Sequence, residues 1–275
     1  MFSRPQQLRS QNHERKPSRE NWHLLSDRKR KVIIAVANGD IETVKIKLIK
    51  EDCIYPLFEG NSILIVASQN KTNSVYGMLH LLTEANHFPE GWISLQDNHG
   101  LTPLMYCAFH NNLEGMKAWL NLYPTSYMEL SFDGSSPITL AASNGNFEGF
   151  KLLVKHGADP STDLGHNSIT CLIAACNHNE NQELIKYLLE DCTVAINAQD
   201  SDGYAAIHAV CKHGNDEILR MLLDRGANVD VCTREGYSPL MLAVMNSRRK
   251  IVKMLLKEFL VSETLLHYYQ FRILF

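Results

Sequence analysis

A chain of 275 residues that is 45% hydrophobic has ample apolar material for a folded body, and its formal charge of −3 excludes the overall basic bias of a nucleic-acid-binding protein. The charge is unevenly spread: residues 1–31 hold nine Lys/Arg against three Asp/Glu, and the remainder carries a balance of −9. No apolar run approaches the roughly 20 residues a membrane span needs, and the polar, charged start reads as lacking a secretory signal.

Residues 1–27 are rich in Gln, Asn, Ser and Arg, carry Pro5 and Pro17, and read as a basic, disordered tail. Trp22, Leu24 and Leu25 are its apolar exception and are placed to dock on the first folded unit. Arg15 and Lys16, an 11-residue gap, and then Arg28, Lys29, Arg30 and Lys31 resemble a bipartite nuclear-localisation signal; the plainer reading is a charged tail and a solvated helix start. From residue 32 onward the chain becomes periodic. Residues 32–50 form a first, degenerate unit without an opening glycine. Further units open at Gly60, Gly100, Gly134, Asn167, Gly203 and Gly236, which lie 40, 34, 33, 36 and 33 residues apart.

The clearest unit begins at Asp202-Gly203-Tyr204, a triplet that returns as Glu235-Gly236-Tyr237. Between the two come a short helix pattern over 205–212, a turn at His213-Gly214-Asn215, a second helix pattern over 217–224 and a glycine stop at Gly226. Self-similarity of this length marks a stacked repeat architecture. Thr102-Pro103, Ser136-Pro137 and Ser238-Pro239 are helix starts: the hydroxyl caps the first turn, and proline loses nothing where its N–H would be unpaired. Ala205-Ala206 replaces such a pair, so that helix is expected to start less sharply. Small pairs such as Ala141-Ala142 and Ala174-Ala175 let neighbouring helices approach. The pairs Leu152-Leu153, Leu188-Leu189, Leu222-Leu223 and Leu255-Leu256 fill the slab between units. Gly39, Asn111, Gly145 and Gly214 hold the turn between the two helices. The second unit runs long through residues 84–92, and the fifth carries about three extra residues around 178–181. Such insertions map to loops and often touch partners, although a tolerated surface insertion is an equal reading.

These features resemble the ankyrin repeat family, whose pattern of glycine, Thr-Pro-Leu-His, Ala-Ala, glycine, a Leu-Leu helix and Gly-Ala-Asp appears piecewise. It shows in Thr102-Pro103-Leu104, Ser136-Pro137-Ile138, Ser238-Pro239-Leu240, Ile207-His208, Gly157-Ala158-Asp159 and Gly226-Ala227-Asn228. The resemblance implies an all-α fold, an α-solenoid of helix-turn-helix units joined by β-hairpin-like loops. About seven units are expected within 28–258, near 28–58, 59–96, 97–130, 131–163, 164–199, 200–232 and 233–258. Residues 259–275, with Leu265, Leu266, Tyr268, Tyr269, Phe271, Ile273 and Leu274, replace the expected ending. They read as an apolar cap, a partner-covering segment or the sign of a shortened form.

No catalytic pattern is present: the sequence lacks GxxxxGK[ST], HExxH and GxSxG, its 12 histidines are scattered, and its glycines fall at repeat spacing. Cys107 and Cys211 take alanine places and Cys171 the leucine place, as small buried hydrophobes. Cys171 and Cys176 lack the spacing and histidine partners of a zinc site, so no cofactor or metal is expected. Seven cysteines without a secretory signal point to a reducing compartment, cytoplasm or nucleus or both.

What remains is surface. The resemblance implies a concave binding face of hairpin tips and first-helix edges. On this sequence the face holds Leu101, Phe109, His110, Phe132, Asp133, Asp202, Tyr204, Lys212, His213, Arg234, Glu235 and Tyr237, with Ser135, Ser168, Asn98, His99, His166, Asn144, Asn177 and Met245 beside them. Exposed aromatics and Arg most often anchor interfaces, so Tyr204, Tyr237, Phe109, Phe132 and Arg234 lead, with Phe109 and Phe132 also suited to packing on neighbouring hairpins. The implied role is a non-enzymatic scaffold or adaptor for protein partners; the alternatives are a regulatory module of a larger enzyme, ligase or channel, and a nuclear regulator directed by the basic tail. The resemblance further implies Asn197, eight residues after Leu189, as a place where an asparaginyl hydroxylase would act.

Overall fold

The computed structural model describes residues 27–38, 40, 42–44, 63–68, 96–161, 168–177 and 182–261, and no strand occurs among them. Helices α1 (Asp27–Asn38) and α2 (Ile63–Ser68) begin the array. Then come α3 (Pro103–Phe109) with α4 (Leu113–Leu122), α5 (Pro137–Asn144) with α6 (Phe147–Lys155), and α7 (Cys171–Cys176) with α8 (Gln182–Glu190). Helices α9 (Ala206–His213) with α10 (Asp216–Leu223), and α11 (Pro239–Met245) with α12 (Arg249–Val261), complete it. Among the described residues, successive first helices pack on one another from α1 to α11, and from α3 onward each also packs on its own second helix, ending with α11 against α12. Neighbours in sequence are therefore neighbours in space, as in a quasi-linear stack.

The starts of the first helices are set by their sequence. Oγ1 of Thr102 accepts from the Met105 N–H at 3.3 Å, Oγ of Ser136 from Thr139 at 3.3 Å, Oγ1 of Thr170 from Ile173 at 3.2 Å, and Oγ of Ser238 from Met241 at 3.2 Å. Each satisfies one N–H that a helix leaves unpaired at its start. Asparagine does the same for the second helices: Oδ1 of Asn112, Asn146 and Asn215 accepts from Gly115, Gly149 and Ile218 at 2.9, 2.8 and 3.1 Å. Two of these amides also reach across units. Nδ2 of Asn112 donates to the Ser68 carbonyl at 3.3 Å, and Nδ2 of Asn146 to the Ala108 carbonyl at 3.0 Å. The turn between the helices takes positive φ at Asn111 (57°), Gly145 (76°), Gly214 (88°) and Ser247 (57°).

Side chains at matching places in successive units form one core. Leu104, Ile138, Leu172 and Ile207 are buried, as are the small residues Ala108, Ala142, Cys176 and Cys211 at the closest helix approach. Trp119 and Phe150 are the largest fully buried side chains, and the Trp119 indole donates to Oγ of Ser68 at 2.9 Å, so its polar edge stays paired. Leu153, Leu188, Leu189, Leu222 and Leu255 enter the same slab. Each buried leucine of this kind contributes about 1.5–3 kcal/mol relative to exposure.

The structure departs from the sequence expectations at several places. Thr170 caps α7, and the residue two before it, the place the turn glycine holds in other units, is the left-handed Ser168 (φ 50°); the expected opener Asn167 lies outside the described residues. The openings at 134, 168 and 203 are thus 34 and 35 apart, and Cys171 stands in the first-turn place that proline holds elsewhere, with Leu172 in the leucine place. Helix α9 starts at Ala206, in register with the proline starts. There, Nδ1 of His208 accepts the Ala205 N–H at 3.0 Å and serves the backbone where no hydroxyl exists. Helix α1 begins at Asp27 and α12 continues to Val261. The long second-unit loop at 84–92, the insertion at 178–181, the tail with Trp22, Leu24 and Leu25, and residues 262–275 lie outside the described residues.

Candidate protein-binding face

Between a second helix and the next first helix the chain turns tightly, and four such hairpins are built alike. The N–H of Asp97, Ser131, Asp200 and Thr233 donates to the carbonyl of Leu101, Ser135, Tyr204 and Tyr237 at 3.1, 2.9, 2.8 and 3.0 Å. Inside each loop a glycine N–H returns to the first residue, and the glycines Gly100, Gly134, Gly203 and Gly236 hold φ of 77°, 81°, 81° and 83°. Carboxylates tie the tips from within: Oδ1 of Asp97 accepts from His99 and Leu101, and Oδ1 of Asp200 from Asp202 and Tyr204. Asp200 is thus a turn former whose carboxylate accepts backbone N–H groups of its own loop. Burial raises its carboxyl pKa above 3.8 against those two hydrogen bonds, which act to lower it.

Neighbouring hairpins are joined by backbone. Phe132 N–H donates to the His99 carbonyl at 3.1 Å, and Arg234 N–H to the Asp202 carbonyl at 2.9 Å. Glutamine side chains reinforce the same junctions: Nε2 of Gln96 reaches the Leu130 carbonyl at 2.8 Å, and Nε2 of Gln199 the Cys232 carbonyl at 3.0 Å. These two glutamines were missed in the sequence; their common place, four residues before the turn glycine, is the signal that would have found them. Burial lowers the His208 pKa below 6.5, and Nε2 of this ring lies 3.1 Å from the Val231 carbonyl. Because Nδ1 accepts, Nε2 carries the proton and donates, and a residue in the family's histidine place ties the start of α9 to the backbone that leads into the seventh hairpin.

The predicted face residues divide into two clusters. In units six and seven, Asp202, Arg234 and Glu235 are exposed, and Tyr204, Tyr237, Lys212 and His213 are half-buried. The Asp202–Arg234 backbone bond fixes the register of these tips. The Tyr204 ring meets the His208 ring edge-on at 5.6 Å. Burial raises its phenol above the ordinary value of 10, as do the charges of Glu235, Asp200 and Asp202 and the neighbouring Tyr237. In units three and four, Leu101, Phe109 and His110 are half-buried, with the last two rings edge-to-face at 5.2 Å. Phe132 is 63% exposed, yet one side of its ring lies on Gly100. Asp133 is exposed; burial acts to raise its pKa, but hydrogen bonds from Ser131 and Ser135 outweigh that and hold it below 3.8. The row after the turn glycine contains Ile169 rather than Ser168, by the corrected register of the fifth unit, and His166 between the clusters is outside the described residues.

Other predicted residues are not part of this face. Arg28, Lys29, Arg30 and Lys31 lie in the first turns of α1, where Nζ of Lys31 pairs with Asp27 at 2.9 Å; Arg15 and Lys16 lie outside the described residues. Asn197 is held at both ends of its amide, Oδ1 accepting from Asn228 N–H at 2.7 Å and Nδ2 donating to the Gly226 carbonyl at 3.1 Å. Among the described residues no group of His, Cys, Asp and Glu could hold a metal ion, and no helix is long and apolar enough to cross a membrane.

A stack of helix-turn-helix units with a preformed row of hairpins along one edge defines a helical repeat solenoid. The model for ankyrin repeats matches three times, over residues 32–126, 116–200 and 172–263, and the chain belongs to the ankyrin repeat family. It is 34% identical over 99 residues to the serine/threonine-protein kinase TNNI3K of Mus musculus, which covers 36% of this chain and 12% of that protein. It is 30% identical over 167 residues to the B-cell lymphoma 3 protein homolog of Mus musculus, covering 58% of this chain and 37% of that protein. The chain thus spans between about an eighth and about a third of these relatives. The crystal structure of the ankyrin repeat domain of Bcl-3 superposes with a TM-score of 0.62 at 21% identity, over 82% of this chain and 97% of that domain. Ankyrin repeats are in general protein–protein interaction modules.

Proposed function

We propose that this chain is a non-enzymatic scaffold or adaptor that binds a protein partner through the hairpin and first-helix face, with the cluster Asp202, Tyr204, Arg234, Glu235 and Tyr237 at its centre. The observation that carries the reading is the pairing of hairpin backbones with one another, which leaves tip side chains as the variable part of a rigid row. Preorganisation of this kind spares a partner the entropy of ordering a loop. Tyrosine and arginine supply contact area and forked hydrogen bonding where such anchors usually sit. The test is an affinity capture from cell lysate that compares the wild type with a Tyr204→Ala/Arg234→Ala/Tyr237→Ala variant of unchanged circular dichroism. A partner bound by the wild type and lost by the variant supports the reading; partners bound equally by both would remove this cluster from the binding site.

A further inference from the structure

We propose that residues 263–275 of this same chain cover the open face of the seventh unit, in the manner of the first helix of a next unit. In every preceding unit that is described from residue 100 onward, the first helix buries a defined set of side chains against its successor. Ile207, His208 and Cys211 are fully buried in the sixth unit. Their counterparts one unit later are Leu240, half-buried, Met241, 36% exposed, and Val244, 58% exposed. Leu256 on α12 is 44% exposed, beside the buried Leu255. The hairpin agrees: a Cβ on Gly203 would meet the next hairpin's Arg234 backbone at 2.8 Å, whereas nothing among the described residues lies within 4 Å of the same point on Gly236. The exposed face therefore continues the pattern of the interfaces inside the stack.

The occupant is identified by what is tethered beside the face. Residues 263–275 begin two residues after α12 ends at Val261, and they include Leu265, Leu266, Tyr268, Tyr269, Phe271, Ile273, Leu274 and Phe275 with only Glu263 and Arg272 charged. Leu266, Tyr269 and Ile273 stand at i, i+3 and i+7, the spacing of one helical face. A short tether gives such a segment an effective concentration near the millimolar range at this face, far above that of a second copy in dilute solution. Covering Leu240, Met241, Val244 and Leu256 removes from water the apolar side chains that the seventh unit leaves exposed.

Hydrogen exchange on the full chain tests this in both directions. A Leu266→Asp/Tyr269→Asp variant should exchange faster by about tenfold or more at the amides of α11 and α12, with α5 and α6 unchanged, and should remain monomeric by light scattering. The reciprocal variant Val244→Asp, on the opposite side of the contact, should speed exchange within 263–275. Unchanged exchange of α11 and α12 in the first variant, with 263–275 unprotected in the wild type, would overturn the proposal. So would protection that appears only at concentrations where the chain dimerises, because the occupant would then be a second copy.

Discussion

At the scale of the residue, most of the repeated geometry of this stack rests on backbone that one atom would disturb. Gly203 and Gly236 hold nearly the same φ, 81° and 83°, yet their surroundings differ. A Cβ at Gly203 would lie 2.8 Å from the Arg234 nitrogen, which is bonded to the Asp202 carbonyl, whereas the corresponding point at Gly236 is open among the described residues. Gly236→Ala should therefore cost about 1 kcal/mol, the penalty of a left-handed alanine. Gly203→Ala should cost about 1–3 kcal/mol more, because the hairpin junction must open to admit the methyl group. Urea unfolding of the two variants measures the difference, and equal losses would mean that the junction contributes nothing. Residue chemistry also explains His208. With Nδ1 and Nε2 both engaged by backbone and its pKa lowered by burial, the ring is held neutral as a structural linker.

At the scale of the element, the caps of α3 and α5 are built in two parts, and α9 keeps one of them. A hydroxyl accepts the N–H three residues on, and the side chain at that third position returns to the cap's own N–H. The returning atom is Sδ of Met105 at 3.4 Å, Oγ1 of Thr139 at 2.9 Å and Nδ1 of His208 at 3.0 Å. Helix α9 has the returning half without the hydroxyl, since Ala205 stands at its cap. Ala205→Ser should supply it and stabilise the chain by about 0.5–1 kcal/mol, seen as a higher urea midpoint; a destabilised variant would show that the space around Ala205 differs from that around Ser136. This arrangement shows what the sequence could and could not reveal. The helix starts at Thr102, Ser136 and Ser238 and the turn glycines were legible because each announces itself through one residue type. The fifth unit was placed one residue early because Ser168 occupies the left-handed position that glycine marks elsewhere, and the capping Thr170 is the stronger guide. The less sharp start expected at Ala205 failed because the compensating atom, Nδ1 of His208, is three residues away and its orientation is not written in composition. Face residues were legible as positions but not as degrees of exposure: Phe132 points out and also packs on Gly100, which depends on how the third and fourth hairpins abut.

At the scale of the whole molecule, the described helices of each unit pack on those of the units beside it, so stability is a sum of unit and nearest-neighbour interface contributions along one continuous core. A defect in one unit should spread only to those beside it. Leu222→Ala removes a fully buried side chain between α10 and its neighbours and should cost about 2–5 kcal/mol locally. Hydrogen exchange should then rise strongly across α7 to α12 and leave α3 and α4 near wild-type values. A uniform rise along the chain would indicate that the array unfolds as one cooperative block.

The same layering sorts the thiols by depth. Cys107, Cys171, Cys176 and Cys211 are buried within the stack, where burial pushes each pKa up to about 12, while Cys232 is exposed on the hairpin two residues before Arg234. An alkylating dye at neutral pH needs a thiolate and an open path, and the four buried sulfurs offer neither. Among these five, labelling chemistry should select Cys232. With Cys53 and Cys192 replaced by serine, a fluorophore there sits beside the cluster proposed to receive a partner, and its emission becomes an optical readout of occupancy.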